Sequence, residues 1–206
     1  MMNKLTLLLL MLISQLVSSQ EVSGYTTEIR KFQVEINRGY KDPKESPLRG
    51  AHLVNFRGHP FFPISSKYKV QAKFMRTPDA VPFNIPTSSG DARPYVEYGE
   101  ATFSMDGKTY TLKIYQSLEL IQIAEYKNHL FLPFRDATNG KETYGGGRYL
   151  DLEIPEGDVI VIDFNKAYQP YCAYNAYDYS CPVVPAANAL PYSVLAGVKY
   201  EDIYFE

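Results

Sequence analysis

Between Asp163 and Cys181 the chain reads DFNKAYQPYCAYNAYDYSC, a glycine-free segment carrying Cys172, Cys181 and five tyrosines, Tyr168, Tyr171, Tyr174, Tyr177 and Tyr179. Two cysteines at this spacing admit a disulfide, a pair of reduced buried thiols, or metal and redox chemistry. A bridge would close a ten-residue loop, worth roughly 2.5–3 kcal/mol through the entropy removed from the unfolded chain. It would also hold Tyr174, Asn175 and Tyr177 beside a ligand-facing rim. Neither cysteine has a nearby histidine or a compact cysteine pair, so no metal site is expected.

A second polar group lies upstream: Arg135, Asp136, Thr138, Glu142, Tyr144, Arg148 and Asp151. The planar donor fork of Arg148 suits a carboxylate or phosphate. Asp136, Glu142 or Asp151 could orient that arginine, bind a sugar-like hydroxyl, or serve acid–base chemistry; the plainer alternative is a salt-bridge network between β connections. The run YGGGR (Tyr144–Arg148) lacks the spacing of the common phosphate loops and reads as a tight β connection. His52 and His59 fall in the aromatic loop RGAHLVNFRGHPFFP, where packing is the economical account, and His129 is placed to cap or orient a strand. There is no HExxH, serine elbow or Cys–His motif, and hydroxyls without a positioned base are not nucleophiles. No cofactor is expected.

Several elements must position these groups. Lys4 followed by the apolar run Leu5–Val17, with small residues Val17 and Ser19, reads as a secretory signal peptide over residues 1–19. The run is shorter than the roughly 20 residues needed to span a bilayer, so no stable transmembrane anchor is expected and the site of action is periplasmic or secreted. The remaining length suits one domain. A formal charge of −2 supplies no basic stripe for nucleic acid. Eighteen tyrosines without a tryptophan instead suggest a broad amphipathic surface.

Residues 20–45 are expected to form an N-terminal helix and connecting loop, with Ile29, Phe32 and Ile36 on one face, Gly39 as the stop and Tyr40–Gly50 crossing the surface. Beyond residue 46 the period becomes two. YKVQAKF alternates from Tyr68, and residues 96–116 alternate on both sides of Asp106-Gly107, a hairpin dipeptide. LELIQIAEY (118–126) and HLFLPF (129–134) are read as the next strands, with Pro133 arguing against an uninterrupted central strand. DVIVIDF (158–164) is read as a buried strand. The fold expected over 46–206 is mainly β, an antiparallel β-barrel or β-sandwich with the helix covering an opening or one face.

SPLRG, FFPISSKYKVQAKF, RTPDAVPFNIPTSSG, LFLPFRDATNGKETYGGGRYLDL, IDFNKAYQPYCAY and YSCPVVPAANALP together resemble the DUF1684 family, from about Ser46 to Lys199. The resemblance implies an extracytoplasmic bacterial protein. It adds Asn165 and Asn188 to Arg135, Asp136, Thr138, Tyr144, Arg148, Cys172, Tyr174 and Cys181 as members of a shared structural or binding region, and it transfers no catalytic role. The leading expectation is an exported module binding a small polar ligand, or serving as an accessory of the cell envelope, through Arg148, Asn165, Tyr174 and Asn175. The alternatives are a hydrolase-like enzyme using Asp136, Glu142 or Asp151, with or without a metal, and a docking surface for another cell-envelope protein.

Overall fold

The computed structural model describes the backbone of residues 4–201 and the side chains of residues 23–201. The signal-peptide reading of residues 1–19 lies outside the described side chains. Helix α1 (Lys4–Lys41) passes through Gly39 and ends just before Pro43, whose ring cannot continue a helix. Ile29 is buried, with Phe32 and Ile36 half-buried on the same face. Tyr25 donates to both Asp163 carboxylate oxygens at 3.0 Å, and Lys166 meets Glu28 at 2.6 Å, which pins the helix to the β domain.

The expected surface loop after α1 is buried at its centre. Leu48 packs with Tyr40, Phe56, Ala173 and Tyr174, and its N–H donates to Ser46 Oγ at 3.0 Å. The stretch read as a loop around His52 contains a short helix, α2 (Gly50–Asn55).

Seven antiparallel strands then curl into a half-barrel: β1 (Lys69–Arg76), β2 (Phe83–Pro86), β3 (Ala92–Met105), β4 (Lys108–Ser117), β5 (His129–Phe134), β6 (Arg148–Glu153) and β7 (Val159–Asp163). Their order is β6-β5-β4-β3-β1-β7, with β2 paired to the first part of β3. Alternation decides which side chains enter the core. Val70, Ala72, Phe74, Leu112, Ile114, Leu130, Leu132 and Leu150 lie in one cluster, into which the C-terminal residues Leu190, Val194 and Ala196 also pack. The opposite side chains, Tyr95, Tyr115, Phe131 and Tyr149, form an aromatic row on the other face, covered by Cys172, Cys181 and Val184.

Asp106 and Gly107, both at positive φ (49° and 73°), make the two-residue turn between β3 and β4 that their types demand. A register shift between Glu97 and Gly99 accommodates Tyr98; a Cβ at Gly99 would sit 2.6 Å from the Met75 carbonyl. Two strand expectations are corrected. Residues 118–126 form two short 3-10 turns, Leu120–Gln122 and Ala124–Tyr126, because Glu119, Gln122 and Glu125 recur every third residue, which is that helix's period. DVIVIDF is an edge strand paired only with β1, and Val159 and Val161 face outward.

Pro133 lies within a central strand, and Asn188 is what makes this tolerable. Strands β4 and β5 pair at Tyr115 and Phe131, a register that carries Lys113 opposite Pro133, which has no N–H to give. The Asn188 amide occupies that gap. It accepts from Lys113 N–H at 2.8 Å and donates to the carbonyls of Lys113 (2.8 Å) and Pro133 (2.7 Å). Its own backbone takes the Arg135 N–H at 2.9 Å. Replacing Asn188 with alanine leaves these buried groups unpaired and should cost about 3 kcal/mol, read in urea denaturation as a lower midpoint with an unchanged slope.

Candidate functional site

Cys172 and Cys181 form a disulfide, with Cα atoms 6.0 Å apart. Both legs of the loop it closes are held to the sheet. Tyr168 pairs with Tyr149 of β6 through two backbone hydrogen bonds, at 2.9 and 3.0 Å. On the other leg, Cys181 O accepts from Ser88 N–H at 2.9 Å, and Val183 N–H donates to Pro86 O at 2.8 Å. Tyr149 reaches across with its hydroxyl donating to the Pro182 carbonyl.

Between this loop and the last turns of α1 lies a cleft of about 680 Å³. Phe32, Ile36, Arg38 and Tyr40 form one wall, while Tyr149, Asp151, Tyr168, Tyr171 and Pro182 belong to the other, and apolar atoms make up most of the lining. Tyr171 packs edge-on against Tyr40 and Tyr179, at 5.4 and 5.1 Å. Three buried polar side chains also line the cleft: Gln169, His59 and Tyr174. The Tyr174 hydroxyl donates to Gln169 Oε1 and stands 3.3 Å from His59 Nδ1. Gln169 is only 2% exposed, and its Nε2 has no partner among the described residues. His59 packs against Tyr40 and Phe56 at 4.2 and 4.9 Å, and burial pushes its imidazole down to about 4.

Of the residues singled out in the sequence, Asp151 and Tyr174 line this cleft and Arg148 does not. Arg148 is fully buried, so it cannot serve as a rim handle. Its guanidinium meets Asp136 Oδ2 at 2.5 Å and donates to the carbonyls of Val194 (2.9 Å) and Ala196. Burial drives its pKa down, and the Asp136 carboxylate offsets part of that shift. The other Asp136 oxygen accepts from the N–H and hydroxyl of Thr138, at 2.7 and 2.5 Å. Thr138 and Thr143 hydroxyls follow at 2.8 Å.

Arg135 and Glu142 are exposed outside the cleft, and Tyr144 packs edge-on against Tyr200 at 5.3 Å. Asn165 is spent on Tyr25, Asp163 and Ser65, and Asn175 on the Pro47 carbonyl and Asp178. Among the described residues no three His, Cys, Asp or Glu side chains gather to hold a metal. Nor is any described helix long and apolar enough to cross a membrane.

Sequence reasoning did not single out Gln169, the α1 wall or the partner of His129. His129 Nε2 lies 2.9 Å from Asp151 Oδ1, which also accepts the Tyr168 hydroxyl at 3.0 Å. Burial first, then the Asp151 charge, holds the Tyr168 phenol well above its ordinary pKa, so it remains a donor. No local motif marks these contacts: Asp151, His129 and Tyr168 come from two strands and a loop.

The buried imidazole makes stability depend on pH. Its pKa falls from 6.5 in the unfolded chain to about 4 in the fold, so the unfolded state binds the extra proton between those values. His59 therefore contributes stability that is full above pH 6.5 and lost as pH falls toward 4, by about 3 kcal/mol. The difference in unfolding free energy between the wild type and His59→Gln across that window measures it. Reducing the disulfide should add the mass of two hydrogens and lower stability by about 2–3 kcal/mol, seen by intact-mass measurement and thermal unfolding.

Residues 54–199 match the family described as a protein of unknown function, DUF1684. None of the curated proteins matches the chain. An uncharacterised protein of Haloarcula marismortui, solved in solution by NMR, is 30% identical, with a TM-score of 0.67 over 88% of this chain and 97% of that one. The chain belongs to the DUF1684 family.

Proposed function

We propose that this chain is an exported ligand-binding module of a bacterial cell envelope, periplasmic or secreted, and that its ligand is a small amphipathic molecule held between α1 and the disulfide-closed loop. The observation that carries the reading is the cleft itself. Its volume of about 680 Å³ falls within the range of small-molecule sites, which pair apolar walls with a few placed polar groups. Here the walls are tyrosines, and the placed groups are the Gln169 amide, deep in the lining, and the Asp151 carboxylate. An apolar or aromatic body would pack against the pair formed by Tyr40 and Tyr171. A carbonyl or hydroxyl oxygen on it could take the Gln169 N–H that has no partner among the described residues.

Export is supported by the apolar run at residues 5–17 and by the disulfide, which persists in oxidising compartments. The hydrolase alternative finds less support. Paired-carboxylate chemistry needs two groups about 5–10 Å apart across a substrate. Asp136 is neutralised inside the protein by Arg148 and Glu142 lies outside the cleft, so of the three only Asp151 lines it; of the lining's other carboxylates, Glu35 and Glu45, the first is paired with Arg38 at 2.6 Å.

Native mass spectrometry of protein purified without denaturation tests the reading. A bound small molecule should be retained by the wild type and released about tenfold more readily, about 1.4 kcal/mol, by Tyr171→Ala and Gln169→Met, with unfolding midpoints close to wild type. Full retention in both folded variants would mean that this cleft is not the site.

A further inference from the structure

Asp151 also borders a second cleft, of about 540 Å³, on the open part of the aromatic row. Leu120 and Tyr126 of the two 3-10 turns, with Ile123 between them, form one side of it, and Tyr95, Phe131 and Tyr149 of the sheet form another. The β5–β6 register places Phe131 directly opposite Asp151, and Tyr149, two residues before Asp151, points to the same face. Its ring lies 4.8 Å from that of Phe131 and 6.0 Å from that of Tyr168.

The carboxylate in this setting is fixed but only half used. Both of its hydrogen bonds, from His129 Nε2 and the Tyr168 hydroxyl, fall on Oδ1, and Oδ2 accepts none among the described residues. Among the described residues no lysine or arginine pairs with Asp151, and none lines this cleft. Glu119, also in the lining, is engaged by Arg93 at 3.2 Å. Lys69 and Lys166 border a separate recess that Asp151 also touches. They are occupied by the Tyr25 ring (4.8 Å) and by Glu28 (2.6 Å).

A carboxylate anchored by two hydrogen bonds among aromatic rings, with no lysine or arginine partner among the described residues, has the chemistry that recognises an ammonium group: ring faces attract the spread positive charge, and the carboxylate neutralises it. We propose that this second cleft binds the ammonium head of a small organic cation, with Asp151 as its counterion and Tyr95, Tyr126 and Tyr149 as its walls. An anion is disfavoured there because it would meet Asp151 and Glu119 with no lysine or arginine among the described residues of the lining.

Ligand-observed NMR titration of the full chain tests this with two probes of nearly equal shape: choline and its uncharged isostere 3,3-dimethylbutan-1-ol. Choline should bind about tenfold more tightly than the alcohol. Asp151→Asn, which keeps an oxygen for His129 and Tyr168, should abolish that preference, and Tyr126→Ala should weaken choline about fivefold. Equal binding of the two probes, no choline binding, or an unchanged preference in Asp151→Asn would each overturn the assignment, as would a neutral disaccharide such as maltose binding in choline's place. Tyr171 lines only the first cleft and Tyr126 only the second. Choline binding lost in Tyr171→Ala but kept in Tyr126→Ala would therefore sink this proposal while leaving the first cleft as a binding site.

Discussion

The buried ion pair between Arg148 and Asp136 is the constraint on which the rest of the structure depends. Taking a guanidinium out of water costs several kcal/mol unless partners are supplied, and the chain supplies them from two distant segments. Asp136 comes from the turn after β5, and the Val194 and Ala196 carbonyls come from the C-terminal stretch. One side chain thus fixes the turn and draws the C-terminus into the open side of the half-barrel. Gly147 makes the approach possible: its φ is +106°, and a Cβ there would meet the Phe134 carbonyl at 2.8 Å. From Ala196 the chain runs directly to Val198, which lines the first cleft, and to Tyr200, whose ring lies 5.7 Å from that of Tyr174. The cleft therefore stands on a pair that never touches it.

The same logic governs the opposite wall. Helix α1 contributes one wall of the first cleft but belongs to no sheet, so its placement depends on side-chain contacts. Asn165 is central to them. Its amide donates to Tyr25, Ser65 and Asp163 and accepts from the Ser65 N–H, joining helix, loop and the end of β7. Tyr25 completes the group, its phenol held protonated by burial and by the Asp163 charge. Polar residues that look like ligand handles are here consumed in fixing backbone, as buried polar groups must be.

This explains what the sequence made legible. Strands β1, β3 and β4 stood out because each is half-buried, so its periodicity is written in residue types, and Asp106-Gly107 specified its own turn. The stretch 118–126 misled because apolar residues on a three-residue period can pass for a strand when counted by composition alone. β7 misled for the converse reason: outward Val159 and Val161 on an edge strand look like core. Arg148 was singled out for its donor fork, but whether an arginine faces a ligand or a buried aspartate depends on where Asp136 and Ala196 fold, which no spacing encodes. The cleft was the least legible part, since its walls come from α1, β6 and the loop around the disulfide.

Tyr149, Asp151, Tyr168 and Pro182 line both clefts, and this shared wall has two kinds of support. Tyr149 and Asp151 ride on β6, fully paired to β5. Tyr168 and Pro182 sit on the legs of the disulfide-closed loop, held by a few backbone bonds and the bridge itself. A ligand in either cleft would pack against the same four residues, so any preference it had for one arrangement of the loop would be felt in the other cleft. Such coupling is reciprocal and no larger than the difference in contact energy between arrangements. The disulfide limits how many arrangements exist. By restricting Tyr168 and Pro182 it trades coupling for two pre-formed clefts, which would lower the ordering cost of a ligand entering either.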